Sequence, residues 1–253
     1  MDKLVFTSNA AIAEQAVVRQ ILVNELANVS TVGFKRSYDI ALRSIKSEGD
    51  GFDTRYQTQA LARDIVRLSP GAVMITGRPM DIAMTEQNVL GIQAPNGELA
   101  FSRRGDLHVS PQGQLQDGLG RLVLGADGPL SVPAGMQVDI NPDGTVLATD
   151  LSQPAGTGSV VIGQLMLRDA SQVELLRRED GLFRPNGLPP GSDFPSGPKL
   201  PQIVANALEG SNVTAVEAMT RLMDHARSFE AQIRIIKEAK GLDESGASMM
   251  KNA

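Results

Sequence analysis

The chain has 253 residues, a net charge of −5, no cysteine, no tryptophan and two tyrosines. That length holds one or two domains. The missing cysteines exclude disulfides and thiolate chemistry, and an acidic balance with interspersed charges argues against a surface that binds nucleic acid by counterion release. No window reaches the roughly 18 consecutive apolar residues of a membrane-spanning helix.

The first ten residues, "MDKLVFTSNA", lack a basic segment followed by a long apolar stretch, so a cleaved signal peptide is not expected. From Leu4 to Asn28 there is neither Pro nor Gly. Apolar residues recur at helical spacing on three stripes: Leu4, Ala11, Val18, Leu22, Val29; Val5, Ile12, Ala16, Val23, Ala27; and Phe6, Ala10, Ala13, Val17, Ile21. A helix apolar on several sides needs burial on several sides. It runs out in "NELANVSTVGFKR" (24–36), where Asn28 can end a helix and Gly33 can take φ > 0 as the chain reverses. Residues 1–35 thus read as helix and turn, and 36–75 as an extended connector.

The middle reads as short strands joined by tight turns. "PNG", "PQG", "ADG" and "PDG" end at Gly97, Gly113, Gly128 and Gly144, at intervals of 16, 15 and 16 residues, with runs such as "VLGIQA", "RLVLG" and "MQVDI" between them. Such turns between alternating runs signal hairpins. A second apolar run, "GSVVIGQLMLRD" (158–169), adds at least one strand. The expectation is a compact antiparallel β-domain over 76–183. Six prolines and four glycines in 181–202 then predict an extended, unpacked linker over 184–202.

The C-terminal region, 203–253, carries a strong helix signal. "TAVE" (214–217) has the form of a capping box, with Thr214 as N-cap and Glu217 at N3. Ala215, Met219, Leu222, Ala226, Phe229, Ile233, Ile236 and Lys240 follow at steps of four and three, a heptad seam. Gly241 is expected to stop it, giving a helix of about 40 Å. His225 reads as a solvated flank or an interface contact beside the seam.

Motifs that would carry chemistry are weak. In "DINPDGTVLATD" (139–150), Asp139, Asn141, Asp143 and Gly144 resemble the start of a calcium loop with Asp150 at its end, but the flanks alternate as strands, which favours a hairpin. "GRLVLG" (120–125) lacks the Lys-Ser/Thr of a phosphate loop. With two histidines, His108 and His225, and no cysteine, a catalytic zinc site is hard to build. A glycan-acting carboxylate pair would lack the aromatic walls such sites use. No cofactor or metal is expected.

The two ends carry a likeness. "NELANVSTVGFKR" resembles the signature of the flagellar axial proteins, the rod and hook family: Asn28, Thr31, Gly33, Phe34 and Lys35 match, while Glu25 stands where Leu or Ile is usual. "ALEGSNVTAVEAMTRLMDHARSFEAQ" (207–232) resembles the family's C-terminal helix. "TGRPMDIAM", "FSRRGDLHVSPQGQL", "GPLSVPAG" and "REDGLFRP" resemble, in order, segments of a proximal-rod member, with a distal-rod member as the alternative.

The resemblance implies a non-enzymatic structural subunit of the periplasm-crossing drive shaft in the flagellar basal body. It would be exported through the flagellar type III apparatus without a cleaved signal peptide. Its partners would be copies of itself and other proximal and distal rod subunits, with no nucleic acid and no membrane span. The fold class is α+β: long N- and C-terminal helices packing as a coiled-coil-like inner layer, with a central antiparallel all-β domain. The expected assembly interface comprises Ile12, Val18, Leu22, Asn28, Gly33, Phe34, Met219, Leu222, Ala226, Phe229, Ile233 and Ile236. Other readings are a binding module or adhesin with a helical stalk, a glycan-acting enzyme, and a monomeric helix bundle, which would leave much apolar helix surface uncovered.

Overall fold

The computed structural model describes residues 2–46, 56–150 and 159–251. The chain forms two compact units, one of Met1–Ala27, Tyr38–Arg63 and Thr214–Ala253, the other of Asn28–Ser37 and Asp64–Val213.

The first unit contains helix α1 (Asp2–Ala27) and helix α2 (Ala215–Lys251), which pack on each other. Strands β1 (Ser37–Lys46) and β2 (Tyr56–Val66), neighbours in a sheet, occupy part of the stretch expected as a connector. The start of α2 follows from its cap: the Thr214 hydroxyl accepts the Glu217 N–H at 3.4 Å, and the Glu217 carboxylate pairs with Arg221 one turn on at 2.7 Å. The expected stop at Gly241 is not observed. At 37 residues α2 is about 55 Å long. An interior glycine costs only about 1 kcal/mol relative to Ala, and no proline follows within α2, which continues through a second glycine, Gly246. The Ser245 hydroxyl, one turn on, donates to the Gly241 carbonyl at 2.8 Å.

The second unit is all β. In chain order its strands are β3 (Val73–Ile75), β4 (Ile82–Met84), β5 (Asn88–Gln93), β6 (Leu99–Ser102), β7 (Leu107–Val109), β8 (Leu115–Asp117), β9 (Leu124–Gly125), β10 (Gly128–Pro129), β11 (Met136–Ile140), β12 (Thr145–Asp150) and β13 (Ser159–Gln164). Then come β14 (Leu167–Asp169), β15 (Leu175–Arg177), β16 (Phe183–Pro185), β17 (Ile203–Ala205) and β18 (Ala207–Glu209). Within this unit the end of β2, from Asp64, borders a sheet of order β2-β15-β16-β6-β5-β14, and β11-β12-β13 form a separate three-stranded sheet. The registered pairs are antiparallel, as the short connections of β5 to β6 and of β15 to β16 require for those two hairpins. One core gathers Ile82, Leu90, Ile92, Leu115, Val123 and Val146 among others; a second gathers Val66, Val89, Phe101, Leu175, Phe183 and Phe194.

The four evenly spaced turns have a common cause. Gly97, Gly113, Gly128 and Gly144 have φ of 84°, 78°, 127° and 84°, a region that L side chains rarely adopt. At the last of them β11 pairs β12 up to Ile140 opposite Val146, and the Gly144 N–H donates to the Asn141 carbonyl at 2.9 Å. The Asp143 carboxylate accepts the Thr145 N–H and hydroxyl, each at 2.9 Å. These bonds hold its pKa below the usual carboxylate range. The segment is a hairpin, and its central acid is engaged in its own turn.

Two expectations need correction. The 184–202 stretch is irregular after Pro185 but is not an unpacked linker. Phe194 is 2% exposed, its ring centroid 4.8 Å from that of Phe101 in an edge-on contact, and the Gly197 N–H donates to the Asp169 carbonyl at 2.9 Å. Prolines stiffen such a segment, but a single buried aromatic ring is enough to pin it. Residues 203–213 do not belong with the C-terminal helix: β17 pairs β4 and β18 pairs β3, which closes them into the β unit.

Candidate functional site

Each unit holds one group of the residues singled out by the sequence. In the helical unit a groove of about 440 Å³ is lined by Ile12 and Ala16 of α1 and by Leu222, Ala226 and Phe229 of α2, with Gln15 and His225 beside them. His225 is an element of the helix pair and not a solvated flank: its Nε2–H donates to the Gln15 carbonyl at 2.9 Å. Higher up α1, Ile21, Leu22 and Glu25 are buried, and Arg221 lies 3.8 Å from the Glu25 carboxylate. The side chains of Leu4, Val5, Phe6, Ala10, Ala11 and Ala13, on which much of the expected striping rests, lie outside the described residues.

The seam on α2 is rotated from the expected one. The more buried series is Ala218, Leu222, His225, Phe229, Gln232, Ile236 and Ala239. Leu222, Phe229 and Ile236 belong to both series, and Ile233 is half-buried. Met219, at 52%, and Ala226 are exposed, as is Met223 at 55%. Two polar contacts lie on the side of α2 that faces α1: His225 bonds to the Gln15 carbonyl, and Arg221 lies 3.8 Å from Glu25. Ile12 and Val18 of α1 are half-buried and Leu22 is buried.

In the β unit Asn28, Gly33 and Phe34 fall within one turn. Asn28, half-buried, follows the last residue of α1; its side-chain oxygen accepts the Thr31 hydroxyl at 3.0 Å and its carbonyl accepts the Thr31 N–H at 3.2 Å. Gly33 has φ of 67° and donates its N–H to the Glu209 carbonyl at 2.8 Å. The Arg177 guanidinium lies 4.4 Å above the Phe34 ring, a cation–π contact, and donates to the Lys35 carbonyl.

Beneath this turn lies a buried charge cluster. The Lys35 ammonium donates to Glu209 Oε1 at 2.6 Å and to the Ser69 carbonyl at 2.9 Å. Arg103 Nε donates to Glu209 Oε2 at 2.7 Å, and its other nitrogens donate to the carbonyls of Met84, Glu86 and Asn88. The Gly71 N–H adds a bond to Glu209 Oε1 at 2.9 Å. All three charged side chains are wholly buried. Burial, reinforced by the Arg103 cation and opposed by Glu209, pushes the Lys35 amine down to about 8. Three residues on, Asn212 accepts the Arg36 N–H at 2.6 Å and donates to the Arg67 carbonyl at 2.9 Å.

The two terminal motifs thus meet: "GFKR" (33–36) and "LEGSN" (208–212) are laced into one buried junction. Lys35 is visible in the sequence as a residue of the N-terminal motif; Arg103 and Glu209 lie outside that motif. The available signal was charge amid apolar residues, Arg103 after "LAFS" and Glu209 after "NAL". Among the described residues no group of three or more His, Cys, Asp or Glu side chains could hold a metal, and no helix is long and apolar enough to cross a membrane.

The two terminal helices pair, the arrangement that the resemblance to the axial proteins implies, and the first and last segments of the β unit are clasped together. Comparison with known proteins names the family. Residues 204–249 match the C-terminal family of flagellar basal body rod FlgEFG proteins, and residues 88–148 match the D1 domain of the flagellar hook protein FlgE/F/G family. The chain is 34% identical over 241 residues to the flagellar basal-body rod protein FlgF of Escherichia coli K12, and 35% identical over 239 residues to FlgF of Salmonella typhimurium LT2, covering 93% of each chain in both cases. The flagellar basal-body rod protein FlgG of Caulobacter vibrioides is 26% identical over 251 residues, covering 92% of this chain and 94% of its own. The chain therefore belongs to the FlgF family of flagellar basal-body rod proteins.

Proposed function

We propose that this chain is a non-enzymatic structural subunit of the proximal part of the flagellar rod, assembling through its terminal helices into a shaft that crosses the periplasm and transmits torque. One structural observation carries the reading. The helices from the two chain ends pair, yet Met219, Met223 and Ala226 of α2 and Val23 of α1 stay exposed. Apolar residues exposed in a row on a helix pair call for neighbouring helices. Those neighbours are copies of the same chain and other rod subunits, and Ile12, Val18, Leu22, Met219, Leu222, Ala226, Phe229, Ile233 and Ile236 serve the inner layer either within the pair or between subunits. Asn28, Gly33 and Phe34 form the turn that ends α1. Delivery is through the flagellar type III export apparatus.

A distal-rod role is the second reading, favoured by the 26% identity to the Caulobacter FlgG; the higher identity to the FlgF relatives argues for the proximal position. The experiment is a reconstruction of basal bodies purified from the source cells, with this chain fitted to density. The expected result places α1 and α2 in the inner layer at the proximal end. Density for this chain at the distal end, or none in the rod, rejects the proposal.

A further inference from the structure

We propose that Glu209 is the clasp that closes the β unit: one carboxylate near the end of that unit bridges two buried cations from the first half of the chain and offsets half of their charge, so the unit locks only when 207–212 returns to 33–36. The inference stands on the β unit alone and does not depend on the rod reading.

Lys35 and Arg103 are both wholly buried, and each bonds to a different oxygen of Glu209. Among the described residues no other carboxylate bonds to either cation. Their remaining partners are carbonyls of Ser69, Met84, Glu86 and Asn88, which carry only partial charge. Two cations taken out of water side by side lose hydration that only an opposing full charge repays. Without Glu209 the segments bearing Lys35 and Arg103 are each driven back toward water.

The partners are 174 and 106 residues apart along the chain. Closing such loops costs entropy before any contact rewards it, so the clasp forms late. It then fastens a whole segment at once. The Gly33 N–H bonds to the Glu209 carbonyl, the Asn212 N–H to the Phe34 carbonyl, and the Asn212 side chain to Arg36, while β18 registers on β3 from Ala207 to Glu209. α1 ends at Ala27 and α2 begins at Ala215, so the clasped segments are those next in the chain to the two helices. A chain that has not yet presented residue 209 holds an open β unit.

The test uses the full chain with Glu209→Gln, Lys35→Met and the double substitution, read by limited proteolysis between 64 and 213 and by unfolding and refolding rates. Glu209→Gln is expected to speed cleavage about a hundredfold where cleavage follows opening. It should act on unfolding and leave refolding within about threefold, as a late contact does. Adding Lys35→Met removes one uncompensated cation and should recover at least about tenfold, the reverse of additive damage. If Glu209→Gln fails to fold, regained folding in the double variant supports the clasp and continued failure overturns it. Unchanged cleavage in Glu209→Gln, additive losses, or a slowed refolding limb also overturns it.

Discussion

A Cβ added to Gly33 would stand 2.3 Å from the carbonyl oxygen of Arg103. Real Cβ atoms do not come that close to backbone, and Gly33 also has φ of 67°. Both facts bear on the same step, the one at which the chain leaves α1 and enters the β unit. Gly33→Ala is therefore expected to destabilise the β unit by about 3 kcal/mol or more, combining left-handed strain with displacement of the Arg103 backbone. Gly77 is the control: φ is 72° with nothing within 4 Å of an added Cβ, so Gly77→Ala should cost only about 1 kcal/mol. Denaturant midpoints of the two variants measure the difference; equal losses would show that strain alone, and not the close approach, makes Gly33 necessary.

The Lys35 amine gives the β unit an alkaline signature. Its folded pKa, about 8, lies below the ordinary 10.5 because burial penalises the charged form. Between those values the unfolded chain binds more protons than the folded one, so stability rises with pH across about 8 to 10.5. Below about pH 8 both states are protonated and the penalty is fully present. Lys199 works oppositely, its pKa raised by Glu86, but its contribution is lost only above its ordinary value. Unfolding measured from pH 7.5 to 10.5 should show a rise on the order of 3 kcal/mol at most. The rise should be absent in Lys35→Met. A flat or falling curve in the unsubstituted chain would mean that Lys35 is not desolvated.

The β11–β12 hairpin should be indifferent to calcium. Asp143 spends its carboxylate on Thr145 in the turn, and a ligand that bound the native state would stabilise it by about 2.7 kcal/mol at a hundredfold excess over Kd. Melting with and without millimolar calcium should coincide. A shift that saturates with calcium and disappears in Asp143→Ala would reinstate the metal-loop reading.

The legible parts of the fold were local. Positive φ at Gly97, Gly113, Gly128 and Gly144 follows from Asn-Gly, Gln-Gly and Asp-Gly turns, and the Thr214 cap marks the start of α2 within one residue. What the sequence hid is non-local. Lys35, Arg103 and Glu209 are separated by more than a hundred residues where they pair, and no short pattern records which buried charge meets which. The rotated seam has a related cause. α2 carries apolar residues on adjoining stripes, Met219 and Ala226 on one and Ala218 and Ala239 on the next, so periodicity fixes the helix but not the face. His225 and Arg221 meet Gln15 and Glu25 of α1 on the face that is packed.

In the proposed rod the two stripes of α2 separate folding from assembly. Phe229 is half-buried in the groove against α1. An aspartate there puts a charge in an apolar contact and removes a large side chain, so Phe229→Asp should loosen the helix pair by about 3 kcal/mol. The β unit, a separate compact unit that does not contain Phe229, should keep its melting temperature. Met219 is 52% exposed, and Met219→Asp should change the isolated chain by no more than about 0.5 kcal/mol. In the rod reading its exposed face is covered by a neighbouring subunit, so the same substitution places a charge in that contact. Both variants should then be non-motile and build no rod beyond this subunit, but only Phe229→Asp should lose helical signal as a free chain. Circular dichroism of the purified variants, beside swarming and electron microscopy of basal bodies, reads all three outcomes. Normal swarming by Met219→Asp would remove the outward stripe from the assembly interface, and a β unit that melts early in Phe229→Asp would show that the helix pair supports the fold and not the filament.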